Sequence, residues 1–163
     1  SITGGCRAPE FLESSNTYFR WYRYKKFDFH MYALYFEKDQ ATALGGGHRH
    51  DVESFIIMFY KREPVAAGTS AHGKYDFKSW SDVPKKEKKK SIHAKVVSHK
   101  EVVLTHAFRF AKAGEDEAEN PYKEWVFPNV ASWFEMVGDD GVTNEKLCTT
   151  LENYNFGKAV WDM

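Results

Sequence analysis

Phe27-Asp28-Phe29-His30-Met31-Tyr32-Ala33-Leu34-Tyr35-Phe36 decides the fold. It opens with apolar and polar residues in alternation and continues apolar, the pattern of a strand that becomes buried along its length. Just before it, Thr17-Tyr18-Phe19-Arg20-Trp21-Tyr22-Arg23-Tyr24 is dense in β formers and reads as a second strand. Ser54 to Tyr60 holds the longest apolar run and reads as a buried third strand. Ala66 to Gly73 carries small residues that suit a strand end passing into a tight loop. Ile92–Val97 and Val102–Phe110 are strand-like, with His99-Lys100-Glu101 between them. Many short strands separated by turn signals predict a mainly β chain, a β-sandwich with a few flanking helices.

Composition agrees. The chain has 163 residues, within the usual range of one domain spanning 1–163, and 17% are aromatic, an excess that pleated sheets absorb. The 23 basic and 23 acidic side chains cancel. No global field draws the protein to nucleic acid or to an anionic surface, so no nucleic-acid partner is expected. No apolar run approaches the roughly 20 residues of a membrane-spanning helix. The start, Ser1-Ile2-Thr3-Gly4-Gly5-Cys6, has no signal-peptide pattern and no initiating Met, which favours a processed or trimmed chain. Cys6 and Cys148 lack metal-binding spacing and are either bridged or free.

Two further elements are expected. Thr143 caps a helix running through Leu151, with Glu145 near its positive end. A shorter helix begins after Asn129. Pro84 to Lys90 is a cationic run that reads as a solvated loop or strand edge, or as a local attraction for anionic lipid. Gly114 to Pro121 is an acidic surface loop.

The chemistry concentrates between Asp39 and Glu53. After Gly45-Gly46-Gly47 the chain reads His48-Arg49-His50-Asp51-Val52-Glu53. In an extended chain Asp51 and Glu53 share a face. His48 falls on the other face, unless a turn near Arg49 brings it round. Asp39, Asp51 and Glu53 with one imidazole, of His48 or His50, form an oxygen-rich set suited to a hard divalent cation such as Mg2+ or Ca2+. His48, His50 and His72 would instead suit zinc, with Glu53 as the base of a hydrolase.

The run Gly47–Glu53 resembles the heptapeptide of the necrosis- and ethylene-inducing peptide 1-like proteins, secreted microbial toxins acting on plants. Met31–Asp39 is similar to that family's aromatic segment ending in Lys-Asp, and Ser70–Tyr75 to its small-residue strand followed by His-Gly. Gly4–Arg7 and Asn155–Ala159 resemble its two ends. Val52 departs from the usual Trp, His30 and Leu34 from an Ile and a Trp, and Glu37 from a Pro. The loop from Asp39 to His48 is about one residue longer. None of these changes removes a ligand.

The resemblance implies a sandwich similar to actinoporins and fungal lectins, and a secreted, non-enzymatic protein. It implies a divalent cation, Mg2+ or Ca2+, held by Asp39, His48, Asp51 and Glu53, with Arg49, His50 and His72 around the cavity. The implied partners are glycosylinositol phosphorylceramide sphingolipid head groups of plant plasma membranes, bound by a monomer and followed by membrane damage, and plant immune receptors. Many family members are not toxic, so a lectin-like protein is the companion expectation. Cys6 would pair with a cysteine upstream of this chain. Trp80, on a loop after His72-Gly73, is the expected aromatic contact with the bilayer.

Overall fold

A computed structural model describes residues 10–39, 46–100, 106–120, 122–138 and 140–157, with 159 and 161. Cys6, the resembling stretch at Gly4–Arg7, the loop at 40–45 and the start of the strand expected from Val102 lie outside these residues.

The long aromatic runs pair as their alternation demands. β1 (Asn16–Tyr24), β2 (Phe27–Asp39), β3 (His48–Tyr60), β4 (Glu63–Ala71) and β5 (Lys74–Ser79) form an antiparallel succession. A four-residue helix, α1 (Glu10–Glu13), precedes them. The 3-10 turn Trp80–Asp82 then leads to two ribbons, β6 (Lys85–Lys88) with β7 (Ser91–Ala94), and β8 (Val96–Lys100) with β9 (His106–Phe110). β10 (Asn129–Ser132) returns parallel to β1 and completes a six-stranded sheet in the order β10-β1-β2-β3-β4-β5. The last element is α2 (Asn144–Asn153), with Thr143 Oγ1 accepting the Lys146 N–H at 3.4 Å as its cap.

The chain is thus mainly β and sandwich-like, with two short helices. One face of the sheet offers Met31, Ala33 and Ile56, which Trp133, Met136 and the Leu147, Cys148 and Leu151 side of α2 cover. The opposite face offers Ile57 and Ala67, closed by Val83, Phe110 and the start of β8. Cross-strand rings tie the strands laterally: Tyr32 stacks on Phe55 at 4.8 Å and Tyr22 on Phe29 at 5.0 Å. Each such pair adds about 0.5–1.5 kcal/mol beyond the area buried. These pairs account for much of the aromatic excess.

Several expectations need correction. Asn129–Ser132 is an edge strand and not the start of a helix, because its backbone pairs with Asn16–Phe19. The strand expected over Ile92–Val97 breaks at Lys95, whose N–H bonds the Pro84 carbonyl at 2.8 Å and sends the chain from one ribbon to the next. The cationic run is one arm and the turn of the β6–β7 hairpin. The acidic loop is more than surface: Glu115 and Glu119 both grip Arg109. Cys148 is a free thiol, its Sγ 3.3 Å from the Trp133 carbonyl. No helix among the described residues is long and apolar enough to cross a membrane.

Candidate metal centre

The registers Lys38↔Arg49 and Asp39↔His48 place the end of β2 beside the start of β3. Asp39 is 1% exposed. A carboxylate so deep requires donors, and His106 at the head of β9 supplies them. Its backbone N–H reaches both Asp39 oxygens at 3.1 Å, and its Nδ1–H donates to Oδ1 at 2.6 Å.

Strict alternation would send His48 and Asp51 to opposite faces. The strand resolves this at His50, which holds φ 63° inside β3. That left-handed residue turns the backbone, so the bend expected near Arg49 occurs one residue later. His48 Nδ1–H then donates to the His50 carbonyl at 2.9 Å. This bond fixes the tautomer and leaves the Nε2 lone pair available, 3.9 Å from Asp39 Oδ2. One donor atom from each of Asp39, His48 and Asp51 lies within 4.8 Å of the others, a group that could hold a metal ion.

The electrostatics match. Burial raises the Asp51 carboxyl above the usual range and the Asp39 charge adds to it, while His48 opposes. Burial pushes Glu53 up to about 7; the Ser70 hydroxyl, which donates to its Oε2, works against that, and Asp51 and Asp39 reinforce it. Crowded carboxylates whose charged forms are disfavoured are what a divalent cation relieves. The donor set, two carboxylates and an imidazole, fits a hard, oxygen-preferring cation.

The remaining expected residues divide. Glu53 is buried on the Asp51 face of β3, bonded to Ser70, and stands outside the three-residue group. Arg49 is exposed at the sheet end. His50 points the other way: its Nδ1 shares a 2.6 Å hydrogen bond with the Tyr35 hydroxyl, and its ring lies against Tyr154 and Phe156. His72 is exposed in the β4–β5 turn at φ 50°. The structure therefore does not gather His48, His50 and His72 into a zinc set. Trp80, expected on an exposed loop, is half-buried against the Ala67, Val83 and Phe110 cluster, with Lys85 Nζ over its ring at 5.0 Å. Val52 faces away from the metal group, into the cluster around Met31 and Ile56. Its smaller side chain therefore alters the layer behind the centre and no ligand.

Sequence reasoning missed His106. It is 67 residues from Asp39, and no local spacing marks it. The one available cue is a polar residue opening the alternating run His106-Ala107-Phe108-Arg109-Phe110.

Solved structures share this fold. One titled NLPPya in complex with mannosamine superposes with a TM-score of 0.71 at 22% identity, covering 98% of this chain and 67% of that one. One described as a toxin fold as basis for microbial attack and plant defense gives 0.70 at 24%, covering 96% and 64%. A third, the non-toxic HaNLP3 protein, gives 0.63 at 21%, covering 96% and 65%. NLPPya in complex with glucosamine gives 0.68 at 22%, and this chain spans 62% of that chain's length. No curated protein matches. The model for "Necrosis inducing protein (NPP1)" matches residues 1–163 from end to end, and the chain belongs to that family.

Proposed function

We propose that this protein binds the sugar-bearing head groups of plant plasma-membrane sphingolipids, glycosylinositol phosphorylceramides, through a divalent cation, and that binding leads to membrane damage, necrosis and immune responses. The observation that carries the reading is the convergence of Asp39, His48 and Asp51 at one end of the sheet. Mg2+ or Ca2+ is the cation this donor set favours, with Glu53 behind it. Such an ion keeps coordination positions for water or sugar hydroxyls. The similar protein NLPPya, solved in complex with glucosamine and with mannosamine, supports a sugar-like ligand. The protein works as a secreted, single-domain monomer, and no hydrolysis step is assigned to it.

Within the chain the division of labour is plain. Asp39 and Asp51 provide charge, His106 holds Asp39 in place, the His50 carbonyl aims His48, and Ser70 steadies Glu53. A second reading, a lectin-like protein without lytic activity, is favoured by the likeness to a non-toxic relative and by Val52.

Dye release from vesicles of plant plasma-membrane lipids tests the proposal. Leakage should stop with chelator and with His48→Ala. Binding without leakage selects the lectin reading. Leakage untouched by chelator would overturn the cation's role, and stoichiometric zinc in the purified protein would revive a hydrolase.

A further inference from the structure

At the end of the sheet away from the metal group, two hairpin turns stand side by side. Lys25-Lys26 joins β1 to β2 and Lys61-Arg62 joins β3 to β4, and the rung Phe27↔Tyr60 makes the turns neighbours. Twelve residues of β2 separate this end from Asp39, roughly 40 Å at the rise of an extended strand.

All four cations are exposed, and among the described residues none forms an ion pair. Arg23 is neutralised by Asp28, at 2.6 and 3.0 Å, and Glu63 is a second acid that flanks the turns. Lys61 and Arg62 both hold positive φ, 50° and 69°, and Lys25 holds 55°. Two successive positive φ values are what Asn-Gly adopts at least cost in a hairpin; cationic side chains there add steric strain and mutual repulsion. What the lysines return to the fold is exposed cation–π contact with the rings below, about 0.5–1 kcal/mol each.

The rings beneath are arranged to match. Lys25 Nζ lies 5.2 Å over Tyr24, and Lys61 Nζ 5.4 Å over Tyr60. Lys26 Nζ sits over both Phe27 and Tyr60, at 5.5 and 5.2 Å. Tyr24 is 60% exposed and Tyr22 43%. Exposed tyrosines under a rim of ammonium groups form the pattern of a membrane-interface belt, with rings at head-group depth and cations among phosphates.

We propose that this twin-turn end is a docking surface for an anionic phospholipid bilayer, separate from the cation site. Charge complementarity chooses the occupant. The whole chain is neutral, and its other cationic run, Lys85–Lys90, has Lys85 and Lys88 over the half-buried Trp80 and Phe127, whereas the twin-turn end sets its cations beside the exposed Tyr22 and Tyr24. The surface is a pair of projecting turns, suited to a planar interface, and it lacks the continuous track of cations that a nucleic-acid backbone requires.

The test is cosedimentation of the chain with phosphatidylcholine vesicles, with and without phosphatidylserine, free of glycolipid and in the presence of chelator. Binding should require phosphatidylserine, withstand chelator and fall away as salt rises from about 0.05 to about 0.5 M. Each cation removed should weaken it about fivefold. Lys61→Asn with Arg62→Gly should therefore lose about 25-fold in affinity while its melting temperature equals or exceeds the native one. Lys25→Ser with Lys26→Ser should lose a similar amount. Asp51→Ala, which disables the cation site, should bind these vesicles as the native chain does, so the two readings fail independently. Equal binding by both turn variants, or retention on a heparin column without vesicle binding, would overturn the proposal.

Discussion

The His48 imidazole donates through Nδ1 to the backbone carbonyl of His50 at 2.9 Å, while the His50 ring turns to the opposite side of the sheet and bonds Tyr35. One left-handed residue, at φ 63°, therefore performs two tasks. It reverses the facing of His48, and it presents the carbonyl that aims it. A β-branched residue is an outlier at this φ, whereas Asn tolerates it. His50→Val should cost about 1–3 kcal/mol in backbone strain and lower cation affinity, although His50 faces away from the metal group. His50→Asn should keep most of the affinity. Thermal melts and cation titration by calorimetry on both variants check this, and equal cation affinity for the two would refute it.

Removal of the cation should be visible as stability. A ligand at about 100 times its Kd stabilises the native state by about 2.7 kcal/mol, which is roughly 5–10 °C in a chain of this size. Chelator should lower the melting temperature of the native protein by that order and leave Asp51→Ala unmoved. Asp51→Ala should show no calorimetric cation binding; unchanged affinity would remove Asp51 from the ligand set.

Much of this was legible in the residues. The strands at Thr17–Tyr24, Phe27–Phe36 and Ser54–Tyr60 follow from alternation and aromatic content, and they pair as sequential hairpins. Asp39, His48 and Asp51 could be named because two short stretches carry them. What could not be read is what depends on distant chain. The β10 strand takes its conformation from pairing with β1, and its four residues have no period of their own. His106 becomes part of the centre only because the β8–β9 ribbon folds over β3 and β4. His48 joins Asp51 because the positive φ at His50 breaks the alternation, while His50, placed around the cavity by the family resemblance, stays on the face opposite Asp51 and bonds Tyr35. Trp80 looked like a loop residue, but the turn at Trp80–Asp82 folds it onto Val83 and Phe110.

The acidic loop should govern stability at low pH. The Arg109 guanidinium, bonded to Glu115 by two 2.8 Å contacts, holds that carboxyl down at about 2. A carboxylate depressed in the folded state adds stability above its unfolded value near 4.5, and that stability is lost as pH falls through about 2. Glu115 is 17% exposed and Arg109 21%, so the pair is not freely screened. Arg109→Gln should cost about 1–3 kcal/mol at pH 7, and the gap to the native protein should close between pH 4.5 and 2. Chemical denaturation across that range measures it; a gap independent of pH would assign the loss to packing.

His106 should act on the cation without touching it. Its three bonds to Asp39 fix where the carboxylate points and compensate its burial. The backbone N–H contacts survive substitution, while the Nδ1–H contact does not. His106→Ala should therefore weaken cation binding by about 10- to 100-fold, the usual effect of losing a group that orients a metal ligand. His106→Asn, whose amide can donate from a similar position, should recover part of it. A double-mutant cycle with Asp39→Asn separates this from general destabilisation. If His106 works through Asp39, its removal should cost little once that carboxylate is an amide. Additive losses in cation affinity would show that His106 acts by another route.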